Sequence, residues 1–396
     1  MRQIAIRARR LFTPTEEIAD AIVVTEDGRI VAAGRRDGVE LRAGTREYDA
    51  RAWTVAPGFV DIHIHGAGGH DVMEADPDAL DRITQTIARY GTTAFVATTV
   101  TASPDDTCRS LEALARTAAK QSRNQSDCAE PAAELLGIHF EGPFISPVRR
   151  GVHPPEWIAP ASPELLGRLL AAAGGAARIL TLAPELDGAL DLVDRARAAG
   201  LVVALGHTNA TYDEAIAAIQ RGARHAVHVF NAMRPFSHRD TGVLGAVLTR
   251  PEVTAEVIAD GVHVDAAALQ ILLAAKGTDR VILVSDATAA TGMPDGNYRL
   301  GTFEVSVSGG VCRDAEGRLA GSTLTLDRAV RRMVALGVPL AEALRMATLN
   351  PARRLGLEAR KGVIAPGADA DLVFLDDALH VAGVMTSRMA KPTIET

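Results

Sequence analysis

The chain has 396 residues, 47% of them hydrophobic and 23% charged, which excludes a disordered protein and is long enough to bury a large core without disulfides. Lys plus Arg number 42 against 49 Asp plus Glu, a formal net charge of −7. There is therefore no global attraction to nucleic acid or an anionic membrane, and an anionic ligand must be held by a local cluster.

The first residues, Met1 to Arg10, alternate Arg with apolar side chains and lack the apolar run of a signal peptide. Short strands with turns follow: Ala21 to Val24, the hairpin signal Asp27-Gly28, then Ile30 to Ala33. A similar pattern returns at Gly362-Val363-Ile364 and Ala370 to Leu375. The two β-rich ends are expected to meet as one small domain, residues 1–54 and 358–396, around a continuous middle of 55–357. That middle alternates apolar runs with helical stretches. Eight buried strands are predicted: Gly58–Ile64, Thr93–Thr98, Leu135–Phe140, Arg178–Ala183, Leu201–Gly206, His225–Phe230, Thr254–Ala259 and Val281–Ser285. Helices such as Tyr212–Gly222 and Asp265–Ala275 lie between them, with apolar residues at three- and four-residue spacing. The expected fold is an α/β, (β/α)8 TIM-type barrel with a small β-rich domain. A hairpin over Tyr298–Leu319 and helices over Leu326–Leu336 and Leu340–Leu355 complete the middle.

Cys108, Cys128 and Cys312 are scattered, with no CxxC pair. They point to a reducing compartment and to no thiolate metal site. The most apolar region, Leu165 to Leu186, is broken by Arg168, Arg178 and Gly174-Gly175, so no membrane span is expected. A cytoplasmic location follows as the expectation.

The chemistry lies where polar residues fall on the strands. His63 and His65 are two apart on the first strand, so both face one side. Glu141 ends the third strand, His207 the fifth and Asp286 the eighth, while His228 lies in the sixth. Singly, a strand-end carboxylate can cap a helix and a buried His can satisfy backbone groups. In a barrel, however, all six reach one mouth. Imidazoles with carboxylates suit a divalent transition metal, most simply Zn²⁺. A second group comprises His153, twelve residues after Glu141, Arg239 after Asn231-Ala232-Met233, and His263 in Asp260-Gly261-Val262-His263. It suits an anion and a carbonyl. Gly66-Ala67-Gly68-Gly69 is not GxGxxG, and no Walker A, HExxH or GxSxG pattern occurs.

In order, HxHG at His63, HFEGPF at His139, GHT at Gly206, HxFNAM at His228, DGxH at Asp260 and SDA at Ser285 resemble the N-acetylglucosamine-6-phosphate deacetylases of the amidohydrolase superfamily. The likeness covers most of the chain, including Ala320 to Leu324 and Lys361 to Leu372. It implies Glu141, His207 and His228 as ligands of the main metal, Asp286 as catalytic acid/base, and His153 at the acetyl carbonyl. It implies Asn231, the Ala232 backbone, Arg239 and His263 as the sugar-phosphate site. It also implies a homodimer, with Arg239 in its own or the neighbour's site. Some members lack both first-strand histidines and use one metal; His63 and His65 are present here, so one or two ions per subunit both stand open. The implied reaction is hydrolysis of the acetamide of N-acetyl-D-glucosamine 6-phosphate by a metal-activated water, with no nucleic-acid or membrane partner. The alternatives are the N-acetylgalactosamine 6-phosphate deacetylase, another amidohydrolase, and a non-catalytic sugar-phosphate sensor.

Overall fold

The computed structural model describes residues 3–123 and 130–394; Cys128 lies outside them. Eight parallel strands form one sheet in sequential order: Phe59–Ile64, Thr92–Thr99, Glu134–Glu141, Ala177–Leu182, Val202–Leu205, His225–Ala226, Thr254–Val257 and Val281–Leu283. The ring closes where Ile64 bridges Ala287 in parallel and Asp286 N–H donates to His63 O at 2.9 Å. Both faces of these strands are covered, so they read as continuous apolar runs; all eight residues of Thr92–Thr99 are buried. Phe59, Phe95 and Phe140 fill the core as fully buried rings.

Several of the helices between the strands begin on side-chain caps. Thr211 and Glu214 form a reciprocal capping box at Tyr212–Arg221, and Asp265 caps Ala266–Lys276 through Ala267 N–H. Among the described residues no helix is long and apolar enough to cross a membrane.

Both ends of the chain enter one six-stranded sheet. Its order is Val381–Met385, Leu372–Leu375, Arg46–Pro57, Gln3–Phe12, Glu17–Glu26, Arg29–Arg35. Arg46–Pro57 pairs parallel with the first strand and antiparallel with Leu372–Leu375, then runs directly into the barrel. Lys361 joins the two layers. Its buried ammonium lies 2.6 Å from Glu134 at the base of the third barrel strand, and 2.8 and 2.6 Å from Asp369 and Asp371 beside the small sheet. Three carboxylates outweigh the desolvation and raise its pKa above the usual lysine value.

Four expectations differ in detail. The sixth strand is two residues long, because the backbone turns to positive φ at His228. Gly362-Val363-Ile364 is a bend and irregular chain rather than a strand, although Val363 and Ile364 still pack into the small sheet's core. The Tyr298–Leu319 hairpin is three-stranded, Gly296–Leu300, Phe303–Ser308 and Val311–Arg313. The last helix is two, Leu340–Ala347 and Leu349–Arg354. They part at Thr348 (φ −131°, ψ −82°), just before Pro351, which has no N–H for the carbonyl of Ala347.

Candidate metal centre

Five predicted imidazoles converge on Glu141 at the mouth formed by the carboxyl ends of the strands. Glu141 Oε1 lies 2.9 Å from His228 Nε2, 3.1 Å from His207 Nε2 and 3.3 Å from His63 Nε2. Oε2 lies 3.3 Å from His65 Nε2 and 3.5 Å from His153 Nε2. Asp286 Oδ1 closes the ring, 3.1 Å from His65 Nε2. All these side chains are buried.

The local backbone explains how they reach the centre. His207, His228 and Asp286 have φ of +46°, +26° and +50°, a region costing about 1–2 kcal/mol for a residue other than Gly. Each strand bends sharply there and turns its side chain across the mouth rather than into the barrel wall.

The hydrogen bonds behind the rings define their neutral forms. His65 Nδ1 meets Thr98 O at 2.9 Å and His207 Nδ1 meets Arg149 O at 3.1 Å. His63 Nδ1 meets Glu256 Oε2 at 2.9 Å. These oxygens accept, so each Nδ1 carries the proton and each Nε2 presents a lone pair to the centre. His153 is the reverse: Thr101 N–H donates to its Nδ1 at 3.2 Å, so the neutral ring carries its proton on Nε2. The first three of these rings fit a divalent ion, and His153 fits a donor to substrate.

Further observations fit an ion. His63 Nε2 and His228 Nδ1 are buried with no hydrogen-bond partner among the described residues, and His228 Nε2 faces His207 Nε2 at 3.1 Å. Two lone pairs at that spacing repel unless a cation lies between them, and ligands at about 2.0–2.1 Å on a tetrahedral ion have similar separations. Clusters able to hold a metal are His63/Glu141/His228, His63/His65/Asp286 and Glu141/His153/His207; the tautomer argument removes His153 from the last.

The electrostatics point the same way. Burial disfavours charge on Glu141, yet His63 and His207 hold its carboxyl well below the usual carboxylate range. Burial opposes charge on His65 too, but Asp286 and Glu141 push its pKa up to about 9. Burial, reinforced by His207, pushes His153 down to about 4. The carboxylates attract positive charge, which a divalent ion supplies.

The cluster floors a cavity lined also by Asn231, Ala232, His263, Val152, Leu300 and Leu319. His263 is steered by Asp260, whose Oδ2 accepts from Nδ1 at 2.7 Å. Asn231 Nδ2 donates to His228 O at 3.2 Å. The structure does not bring Arg239 to this cavity: it is exposed in the turn 237–240. Sequence reading missed Glu256, Thr101 and His225. Glu256 was legible as a carboxylate inside an apolar strand; Thr101 meets His153 through its backbone N–H and its hydroxyl, and a single Thr left no signal.

A (β/α)8 barrel with a buried His/Glu/Asp cluster at its carboxyl-end mouth defines the class of a metal-dependent hydrolase. Residues 54–394 match the model of the amidohydrolase family. The chain is 40% identical over 377 residues to the N-acetylgalactosamine-6-phosphate deacetylase of Escherichia coli O157:H7, covering 95% of this chain and 96% of the relative. It is 35% identical over 380 residues to the N-acetylglucosamine-6-phosphate deacetylase of Bacillus subtilis (strain 168), covering 96% and 94%. The solved structure of a mutant N-acetyl-D-glucosamine-6-phosphate deacetylase from Mycobacterium smegmatis, in complex with N-acetyl-D-glucosamine-6-phosphate, matches with a TM-score of 0.91 and 39% identity over 100% of both chains. The chain belongs to the amidohydrolase family, in the branch that holds the N-acetylglucosamine-6-phosphate deacetylases.

Proposed function

We infer that the protein hydrolyses the acetamide of N-acetyl-D-glucosamine 6-phosphate, giving D-glucosamine 6-phosphate and acetate. The observation that carries this reading is the buried cluster of imidazoles and carboxylates at the floor of the barrel-mouth cavity, in a chain of this family. Glu141, His207 and His228 would hold the main divalent ion, with His63 and His65 available for another; the nitrogen and oxygen donor set suits Zn²⁺. When bound, such an ion polarises the acetyl carbonyl and lowers the pKa of a water from 15.7 to about 7.

The chain's own residues supply the rest. Asp286, acceptor-only when ionised, takes the proton of the attacking water and returns it to the leaving nitrogen as the C–N bond breaks. His153, neutral with its proton on Nε2, donates to the carbonyl oxygen as negative charge develops there, worth roughly 3–4 kcal/mol. Asn231, the Ala232 backbone, Arg239 and His263 hold the sugar phosphate and so fix the acetamide over the cluster. We further propose a homodimer, in the cytoplasm, with the barrel of 55–357 as the catalytic domain and 1–54 with 358–396 as the small one. The exposure of Arg239 supports the dimer, because its guanidinium is free to serve a neighbour's cavity. The buried free thiols of Cys108 and Cys312 support a reducing compartment.

The galactosamine epimer is the second reading, favoured by the 40% identity to the Escherichia coli O157:H7 relative. The test is acetate release from both phosphorylated sugars and from unphosphorylated N-acetylglucosamine, before and after chelation. Chelator-sensitive release from the glucosamine compound, fastest of the three, is the expected result. Equal release with and without phosphate would remove Arg239 and His263 from their role. Faster release from the epimer would exchange the substrate. No release from any sugar after Zn²⁺ is restored would favour a sensor.

A further inference from the structure

Three of the imidazoles aimed at the cluster have their orientation fixed from behind, and they differ in what fixes them. His65 and His207 lean on main-chain carbonyls, Thr98 O and Arg149 O, which almost any side chain at those positions would still supply. His63 alone depends on a side chain. Glu256, fully buried on the seventh strand, accepts from His63 Nδ1 at 2.9 Å through Oε2 and meets His225 Nε2 at 2.7 Å through Oε1. Thr254 Oγ1 stands 2.7 Å behind His225 Nδ1. The carboxylate is clamped between rings from the first and sixth strands and cannot turn away. Its donor-facing oxygen keeps the proton of His63 on Nδ1 and leaves the lone pair on Nε2, an atom that is buried and has no hydrogen bond.

We propose that Glu256 is a positioning residue that makes His63 a metal ligand. It thereby gives the His63–His65 side of the cluster its affinity for a second divalent ion, beside the one assigned to Glu141, His207 and His228. A carboxylate behind a ligating imidazole fixes the ring, sets its tautomer and raises its basicity, and loss of such a partner costs about 10–100-fold in metal affinity. The inference rests on the metal-dependent reading of the site. Without Glu256 the His63 ring is free to place a proton on Nε2, while His65, His207 and Glu141 keep their supports.

The test is Co²⁺ titration of the chelator-stripped protein against a competing chelator, read by ion content per chain and by the Co²⁺ absorption spectrum. Two ions per wild-type chain are expected. Glu256→Met weakens the second about 10–100-fold and leaves the first unchanged. Glu256→Gln, whose amide oxygen still accepts from Nδ1, keeps most of the affinity. Glu256→Met with His225→Leu also removes the second ring that meets the carboxylate, so the His225 imidazole is not left facing an apolar side chain; it loses the same ion, as does His63→Asn. Unchanged affinities in Glu256→Met and in the double variant would overturn the proposal. So would a wild-type chain that takes a single ion, or loss of both ions together in a folded Glu256→Met protein. Absence of any bound ion in the wild type would overturn the metal reading along with it.

Discussion

The Thr101 backbone N–H donates to His153 Nδ1 at 3.2 Å, and the Thr101 hydroxyl lies 2.8 Å from the same nitrogen. Such a ring is a donor toward the cavity and not a ligand. His153→Gln should therefore keep full metal content while kcat falls by about 10²–10³. Elemental analysis beside steady-state kinetics separates the two roles; loss of an ion from the variant would make His153 a ligand instead.

The same imidazole has a pH signature. Burial, with His207 adding to it, lowers the His153 pKa from 6.5 to about 4. Between these values the unfolded chain binds a proton that the folded chain does not, so unfolding takes up a proton and stability falls as pH is lowered. The contribution is fully present above 6.5. Urea unfolding of the metal-loaded protein from pH 7 to pH 4.5 should show a shallower loss of stability in His153→Gln than in the wild type. Parallel curves would mean that His153 titrates normally.

Asp286 sits at φ +50°, a backbone region that Asn tolerates as readily as Asp. Asp286→Asn should thus fold normally and retain the main ion proposed for Glu141, His207 and His228, while turnover falls by about 10²–10⁴. Wild-type turnover by the variant, with melting temperature and metal content unchanged, would remove Asp286 from proton transfer.

Gly142 stands at φ +89°, and a Cβ there would lie 2.2 Å from Thr101 Oγ1. Gly142→Ala should destabilise the fold by about 1–3 kcal/mol and lower kcat, because the displaced Thr101 is the support of His153. A variant with a lowered melting temperature but wild-type kcat would show that Thr101 has room to adjust.

Arg239 lies in an exposed turn outside the cavity of its own chain. Arg239→Ala should raise KM for the phosphorylated sugar about 10-fold or more, the worth of a charge-assisted contact, with kcat nearly unchanged. Mixing Arg239→Ala with Asp286→Asn chains should restore sites of normal KM if the guanidinium crosses the dimer. Restoration absent, Arg239 serves its own chain.

The barrel and the residues of the buried cluster at its mouth were legible because each carried a signal of its own. Apolar runs such as Phe95–Thr98 mark strands buried on both faces, and His63, Glu141, His207 and Asp286 are polar residues where those runs stop. His225–Phe230 read as one long strand because Val227 and Val229 are apolar; the positive φ at His228 and Phe230 that shortens it is a tertiary demand with no glycine to announce it. The support of His153 by a main-chain N–H is invisible to any residue-type pattern. Arg239 could be assigned a chemistry from its type, but not a place, since place depends on how the loop after the sixth strand is packed.

Lys361 has a consequence for how the molecule comes apart. Its one ammonium is shared between Glu134 beneath the barrel and Asp369 and Asp371 beside the terminal sheet. Pulling either layer away strands buried charges in the other, at about 3–5 kcal/mol for each broken pair. Heat should therefore melt barrel and sheet as one cooperative unit, with a single calorimetric endotherm where two hydrophobic cores would otherwise give two.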